Sequence, residues 1–164
     1  MGKEERVPEK HFKLIAILAL VAIIMLIVNM ILTNSMHMIA RAQDLGWNLS
    51  YITLPTSQAQ TVLLGIVPAG AIMAFAIIGI NIHNKNEKLP FIFGIILSIV
   101  FTVLIVAAVI SGIDVIVQGF EVEVNRPLVG WFIAIGIINL GLTPLCILGL
   151  LQGLKVVKYG QDKI

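Results

Sequence analysis

The sequence predicts an all-α membrane protein: a bundle of four transmembrane helices with both termini in the cytoplasm. Three observations carry this. Hydrophobic residues make up 59% of the 164 positions and charged ones 12%, about half the charge of a soluble domain. Four long apolar runs, 14–33, 58–82, 91–112 and 128–156, are each long enough at about 1.5 Å per residue to cross a hydrocarbon core about 30 Å thick. The basic residues are also segregated. Lys3, Arg6, Lys10, Lys13, Lys85, Lys88, Lys155, Lys158 and Lys163 lie in the two tails and the 83–88 turn, and only Arg41 and Arg126 lie in the other two connections. By the positive-inside rule the tails and the turn are cytoplasmic, in a multi-pass protein of the cell membrane.

Residues 1–13 read as a solvated cytoplasmic tail containing Pro8. The opening MGKEER is no cleavable signal, because the apolar run after it is too long and lacks a small-residue cleavage site. Arg6 stands where myristoylation needs Ser or Thr. Span one, Leu14–Thr33, contains no charge and continues as a helix through Met36, Ile39 and Ala40 toward Gly46, a C-cap. The outer connection 34–57 then holds Trp47–Leu54, whose aromatic and β-branched residues suggest a strand at headgroup level. Asn48-Leu49-Ser50 in the same stretch fits a glycosylation sequon.

Ser57 and Gln60 form a capping box for span two, 58–82, which carries Gly65, Pro68, Gly70 and Gly79. Pro90 falls in the first turn of span three, where its missing N–H costs little. The second outer connection, 113–127, alternates Glu121 and Glu123 against Phe120, Val122 and Val124. That period of two predicts strands at 114–118 and 120–124. With 47–54 they would form a small β-cap over the outer face. Asn125 and Pro127 open span four, 128–156, and 157–164 is the second cytoplasmic tail.

A duplication is suggested by Gly65-Ile66-Val67-Pro68, which recurs as Gly141-Leu142-Thr143-Pro144, and by Leu26-Ile27-Val28 against Leu104-Ile105-Val106. It predicts that Pro68 and Pro144 bend their helices alike at one depth, each opposed by a glycine that gives the bend room. Gly65, Gly70 and Gly141 are expected at close helix contacts.

The four runs contain no ionisable residue between 14 and 33, 61 and 82, 91 and 112, or 128 and 153, apart from the lone Cys146. This argues against a proton-coupled carrier and an intramembrane aspartyl protease. One cysteine excludes an intrachain disulfide. The histidines His11, His37 and His83 are placed where no pair brackets a haem, so no cofactor is expected. Asn29 and Asn139 are expected to hydrogen-bond within the membrane or to line a path. Met36 and His37, with Met38 beside them and Asp44 further on, are the weak candidates for a copper site, although adjacent helical residues diverge by about 100°. Asp114, Glu121, Glu123 and Arg126 cluster in the second outer connection, where they could attract cations or dock a partner and are expected to solvate the edge strand.

The layout resembles claudin-type tetraspan proteins in topology. The residues that define claudins are absent: Trp47 stands alone in the first outer loop and no outer cysteine pair exists. Three roles follow from the residues. The leading one is a non-catalytic accessory or scaffold subunit of a larger membrane complex, whose partners are other integral-membrane subunits and lipid, not nucleic acid. The second is a small homo-oligomeric channel or small-molecule carrier. The third is a metal-binding or enzymatic subunit using His37 and Asp44.

Topology is directly testable. In chains carrying C146A, N86C is expected to react with impermeant maleimide only from the cytoplasmic side and V122C only from outside. Labelling of position 86 from outside would reverse the orientation.

Overall fold

The computed structural model describes residues 7–43, 61–83, 85 and 88–162. Helix accounts for 96% of them and no strand occurs among them. The helices are α1 (Val7–Ala42), α2 (Val67–Ile82, preceded by a π-helical turn at Val62–Ile66), α3 (Leu89–Glu121) and α4 (Val129–Gln161). With its π turn counted into α2, each is long and apolar enough to cross a membrane. At 1.5 Å per residue, α1 with 36 residues is about 54 Å long, and α3 and α4 with 33 each about 50 Å. The second span has 21 residues and about 31 Å. Three helices therefore exceed the hydrocarbon thickness and must tilt or project, whereas the described part of the second matches it.

The buried positions explain the bundle. They run Phe12, Ile15, Ala19, Ala22, Leu26, Asn29 in α1 and Gly65, Ala69, Ile72, Ala76, Gly79 in the second span. In α3 they include Gly94, Leu97, Phe101, Leu104 and Ala108, and in α4 Phe132, Ile135, Asn139, Leu142, Cys146 and Gly149. All four series alternate steps of three and four, the 3.5-residue period of left-handed antiparallel packing. The opposite faces, such as Ile17, Ile24 and Ile31 of α1, are exposed and apolar, as lipid contact requires.

The order around the bundle is α1, α2, α3, α4. The densest interface joins α3 to α4, where seven glycines remove the side chains that would hold the backbones apart. A Cβ on Gly136 would lie 2.3 Å from the Ile116 side chain and one on Gly149 2.3 Å from the Phe101 ring. Gly94 faces Val157, Gly112 faces Leu140, Gly119 faces Phe132, Gly153 faces Ser98 and Gly160 faces Phe91, all closer than a real Cβ permits. One antiparallel register runs through all of these pairs. Helix α1 meets α2 at Phe12–Gly79 and Leu26–Gly65. The thinnest of the four interfaces is α2 with α3. Its marker is the edge-to-face pair Phe75–Phe93, 5.5 Å between centroids, in the half near the termini. We call that end of the bundle the terminal end and the opposite one the distal end.

The strands expected at 114–118 and 120–124 do not form. Helix α3 runs unbroken to Glu121, and a 3-10 segment, Glu123–Leu128, leads into α4 with Pro127 inside it. Four consecutive backbone groups left outside a ladder would be costly near a membrane, and continuing the helix satisfies them without a partner strand. The third expected strand, 47–54, the Gly46 cap and the Ser57–Gln60 capping box lie outside the described residues. At the terminal end α1 already begins at Val7 and α4 continues to Gln161, so much of each expected tail is helical. The Glu9–Lys13 ion pair at 2.5 Å supports the first of these turns.

The two prolines are accommodated differently. Before Pro68 the Val67 N–H bonds to the Val62 carbonyl, five residues back, in the π turn. The widened turn shifts the carbonyl ladder where the proline ring would otherwise meet the Leu64 oxygen. Pro144 sits inside an uninterrupted α-helix. The two prolines thus sit in unlike backbone, although Gly65 approaches Leu26 and Gly141 approaches Met25, which puts both glycines at one level of α1. Under a duplication Gly141 would face α3 as Gly65 faces α1, and instead it too faces α1. Gly70, expected at a close contact, has open space where its Cβ would be.

Substitution at the glycine seam should separate packing from propensity. G149A is expected to destabilise by about 1–3 kcal/mol through overpacking against Phe101. G70A is expected to be neutral or to stabilise by up to about 1 kcal/mol. Thermal unfolding in one detergent, read by circular dichroism, compares them; equal melting temperatures would contradict the seam.

Candidate functional site

In its distal half the bundle does not close on itself. Between α2 and α3 lies a chamber of about 560 Å³, lined by residues from all four helices. Its position follows from the packing just described. Glycines draw α3 onto α4, and Phe75–Phe93 joins α2 to α3 only in the terminal half. Distally nothing comparable draws α2 toward α3. Leu64 at 63% and Ile110 at 64% are exposed lining residues, one on each side of this seam. The chamber therefore opens sideways, through what the apolar outer faces mark as the lipid-facing wall.

The lining changes character along the axis. The inner end is apolar: Ala22, Leu26, Leu104, Leu142 and the Cys146 thiol. Midway stand Asn29 and Asn139, both buried. Asn29 Nδ2 donates to Asn139 Oδ1, and Thr33 Oγ1 donates to Asn29 Oδ1 at 3.3 Å. Asn29 and Asn139 therefore bond to each other, and their bond ties α1 to α4 beside the chamber. At the distal lip α3 contributes Ser111, Asp114 and Gln118. Gln118 Nε2 donates to an Asp114 oxygen at 2.8 Å, and Asn125 Nδ2 donates to the Gln118 carbonyl at 2.9 Å. The helical spacing from Leu104 to Gln118 extends the chamber over about 21 Å of helix axis.

Below the chamber the bundle is sealed. Phe12, Ile15, Ile72, Leu97, Phe101 and Val156 form a core in which every member is essentially inaccessible. At the terminal end beyond it, the His11 imidazole donates from Nδ1 to Gln152 Oε1 at 2.7 Å, a second link between α1 and α4. The chamber is a dead end in this conformation.

The other expected site residues fall elsewhere. Met36 is buried in a distal cluster with Ala40, Leu128, Phe132 and Ile135, and His37 is buried beside it on α1. Met38 is 63% exposed on another face, so the three neighbours cannot ligate one ion. Asp44 lies outside the described residues, and no group of three or more His, Cys, Asp or Glu comes together among those described. Gly65 lines the chamber, whereas Pro68, Gly70, Gly141 and Pro144 do not.

Ser111 and Gln118 are not singled out by the sequence, whereas Asp114 is, as one of the outer charged residues that could attract cations or dock a partner. Asp114 was assigned to a solvated edge strand, where alternation would have turned it and Val115 to opposite faces of a sheet. In the helix, Leu104, Ala107, Ala108, Ser111, Asp114, Val115 and Gln118 share one stripe of three- and four-residue steps. That spacing is present in the sequence and identifies the chamber wall of α3.

The Asn29–Asn139 link predicts a non-additive cycle. N29L or N139L alone is expected to cost about 1 kcal/mol, in the range of buried hydrogen bonds between membrane helices. The double variant is expected to cost less than the two single losses combined, since neither amide is then left unpaired. Steric-trap or reversible detergent unfolding measures the cycle, and strict additivity would contradict the contact. No protein-family model matches the chain, and neither the curated proteins nor the solved structures contain a detectable match to it.

Proposed function

We propose that this protein is a non-catalytic membrane protein that binds one small amphiphilic molecule, taken up sideways from the bilayer into the chamber between α2 and α3. The carrying observation is the chamber itself. Its volume of about 560 Å³ falls in the range of small-molecule sites, which are mainly apolar with a few converging polar groups. The gradient from Leu104 and Leu142 inward to Asp114 and Gln118 at the lip matches a molecule with an apolar body and a polar end. The lateral opening favours a ligand that partitions into lipid.

This reading moves the small-molecule alternative ahead of the scaffold role. It needs no oligomer, because one chain supplies all the lining. The sealed core around Phe101 favours holding a ligand over conducting ions. Support for a non-catalytic role comes from the lining: among the described residues its ionisable members are Asp114 and Cys146, and no group of three or more His, Cys, Asp or Glu comes together. An accessory role beside other membrane subunits is compatible with it, the bound molecule being what such a subunit would present. The positive-inside distribution supports cytoplasmic termini, and with them a chamber lip in the outer half of the cell membrane.

The test uses the purified protein in zwitterionic nanodiscs with a single-chain alcohol carrying a nitroxide. A saturable immobilised component in the electron paramagnetic resonance spectrum, near one per chain, is expected over the non-saturable lipid background. A107W, which fills the chamber from α3, should remove it while leaving helix content and melting intact; S111W is a second filling variant at the lip. Absence of a saturable component, or its survival in both variants, would overturn the proposal.

A further inference from the structure

The lip of the chamber carries charge of one sign. Among the described residues Asp114 is the lone acidic residue of the lining, and no lysine, arginine or histidine lines the chamber. Its carboxylate accepts one hydrogen bond from Gln118 Nε2 at 2.8 Å. A carboxylate has about four acceptor positions, so most of its capacity remains unused by this bond at the exposed lip of the chamber. No lysine or arginine among the described residues forms an ion pair with it. The chain offers little else to neutralise it: residues 44–60, which precede α2, contain no Lys or Arg at all. The distal residues as a whole hold Asp44, Asp114, Glu121 and Glu123 against Arg41 and Arg126, an acidic excess at the end that faces the lip. Apolar walls beside a fixed carboxylate focus its field into the chamber.

From this we infer that the occupant is a single-chain amphiphile with a protonated primary amine as its head, its ammonium paired to Asp114 and its chain lying toward Leu104 and Leu142. The inference rests on the chamber being a binding site, as proposed above. Three features narrow the head group. The sign of the charge requires a cation. An ammonium with N–H donors fits the remaining acceptors of Asp114 and the hydroxyl oxygens of Ser111 and Thr33, which also line the chamber. A quaternary ammonium has no N–H to give and is typically held by a cage of aromatic rings; among the described residues no Phe, Tyr or Trp lines this chamber. The Gln118 amide holds the carboxylate in place, and because residues 114 and 118 are one turn apart on α3, that hold survives occupation of the lip. A two-chain phospholipid fits poorly, since its phosphate would meet Asp114 with like charge. A volume of about 560 Å³ over about 21 Å of axis also leaves room for one slender molecule.

The nanodisc assay above tests the inference with three nitroxide-labelled probes of equal chain length, bearing a primary amine, a trimethylammonium or an alcohol head. All are compared in one zwitterionic lipid, so that partition into the bilayer is common to wild type and variant. The amine is expected to bind wild type about tenfold more tightly than the alcohol or the trimethylammonium probe. D114N should bring the amine to the alcohol's affinity, D114E should retain the preference, and A107W should abolish binding of all three. Equal affinity of amine and alcohol for wild type, both lost in A107W, would overturn the inference while leaving the chamber a binding site. A trimethylammonium probe binding as tightly as the amine would overturn the N–H pairing. No saturable binding of any probe would overturn both the inference and the reading beneath it.

Discussion

The close approach of α3 and α4 governs the rest of the molecule. Seven glycines let two helices of about 50 Å meet backbone to backbone, from Gly119–Phe132 at the distal end to Phe91–Gly160 at the terminal end. In a bilayer there is no hydrophobic drive between helices, so contact of this kind, with its dispersion attraction, sets which helices pair. Helix α1 then joins α4 through Asn29–Asn139 and His11–Gln152. The second span is held to α1 by Phe12–Gly79 and Leu26–Gly65 and to α3 by the Phe75–Phe93 contact. A ring with three closed sides and one side closed over half its length must leave a gap, and the chamber is that gap.

The π turn belongs to the same picture. Val62–Ile66 carries the lining residues Leu64 and Gly65 just before Pro68, so the irregular backbone of the second span lies against the cavity. Non-helical or widened backbone at membrane depth is tolerated where it borders protein or a cavity, and π turns recur at functional positions. The uninterrupted course of α4 through Pro144 contrasts with it: that helix is clamped by α3 along its length and borders the chamber only through side chains. Two similar Gly-Pro tetrapeptides therefore serve unlike surroundings.

The architecture was largely legible in the sequence because membrane insertion imposes its own pattern. The apolar runs mark the four spans, and Asn29 and Asn139 stand out as the polar residues most in need of a partner. What was not legible has two physical sources. Residues 113–124 are rich in β-branched side chains and alternate in polarity at Glu121 and Glu123, a pattern that favours a strand in water. Beside a membrane, continuity of the backbone hydrogen bonds from α3 outweighs it. The chamber depends on which helix pairs approach closely and which stay apart. Glycine content alone does not reveal that: Gly70 and Gly136 look alike in sequence, and one faces open space while the other lies against Ile116. Asp114 was visible as a residue and misread as to its place, because a one-period error in secondary structure moves a side chain from a solvated edge to a chamber wall.

The central claim is that α3 and α4 form the rigid unit and that the distal part of the second span is loosely held against α3. Hydrogen–deuterium exchange in nanodiscs reads this at peptide resolution. Peptides covering 62–67 are expected to exchange well before those covering 104–112 and 136–146, which lie at similar depth in the bundle. Uniform protection of all four helices, or earlier exchange of α4 than of the second span, would contradict the account.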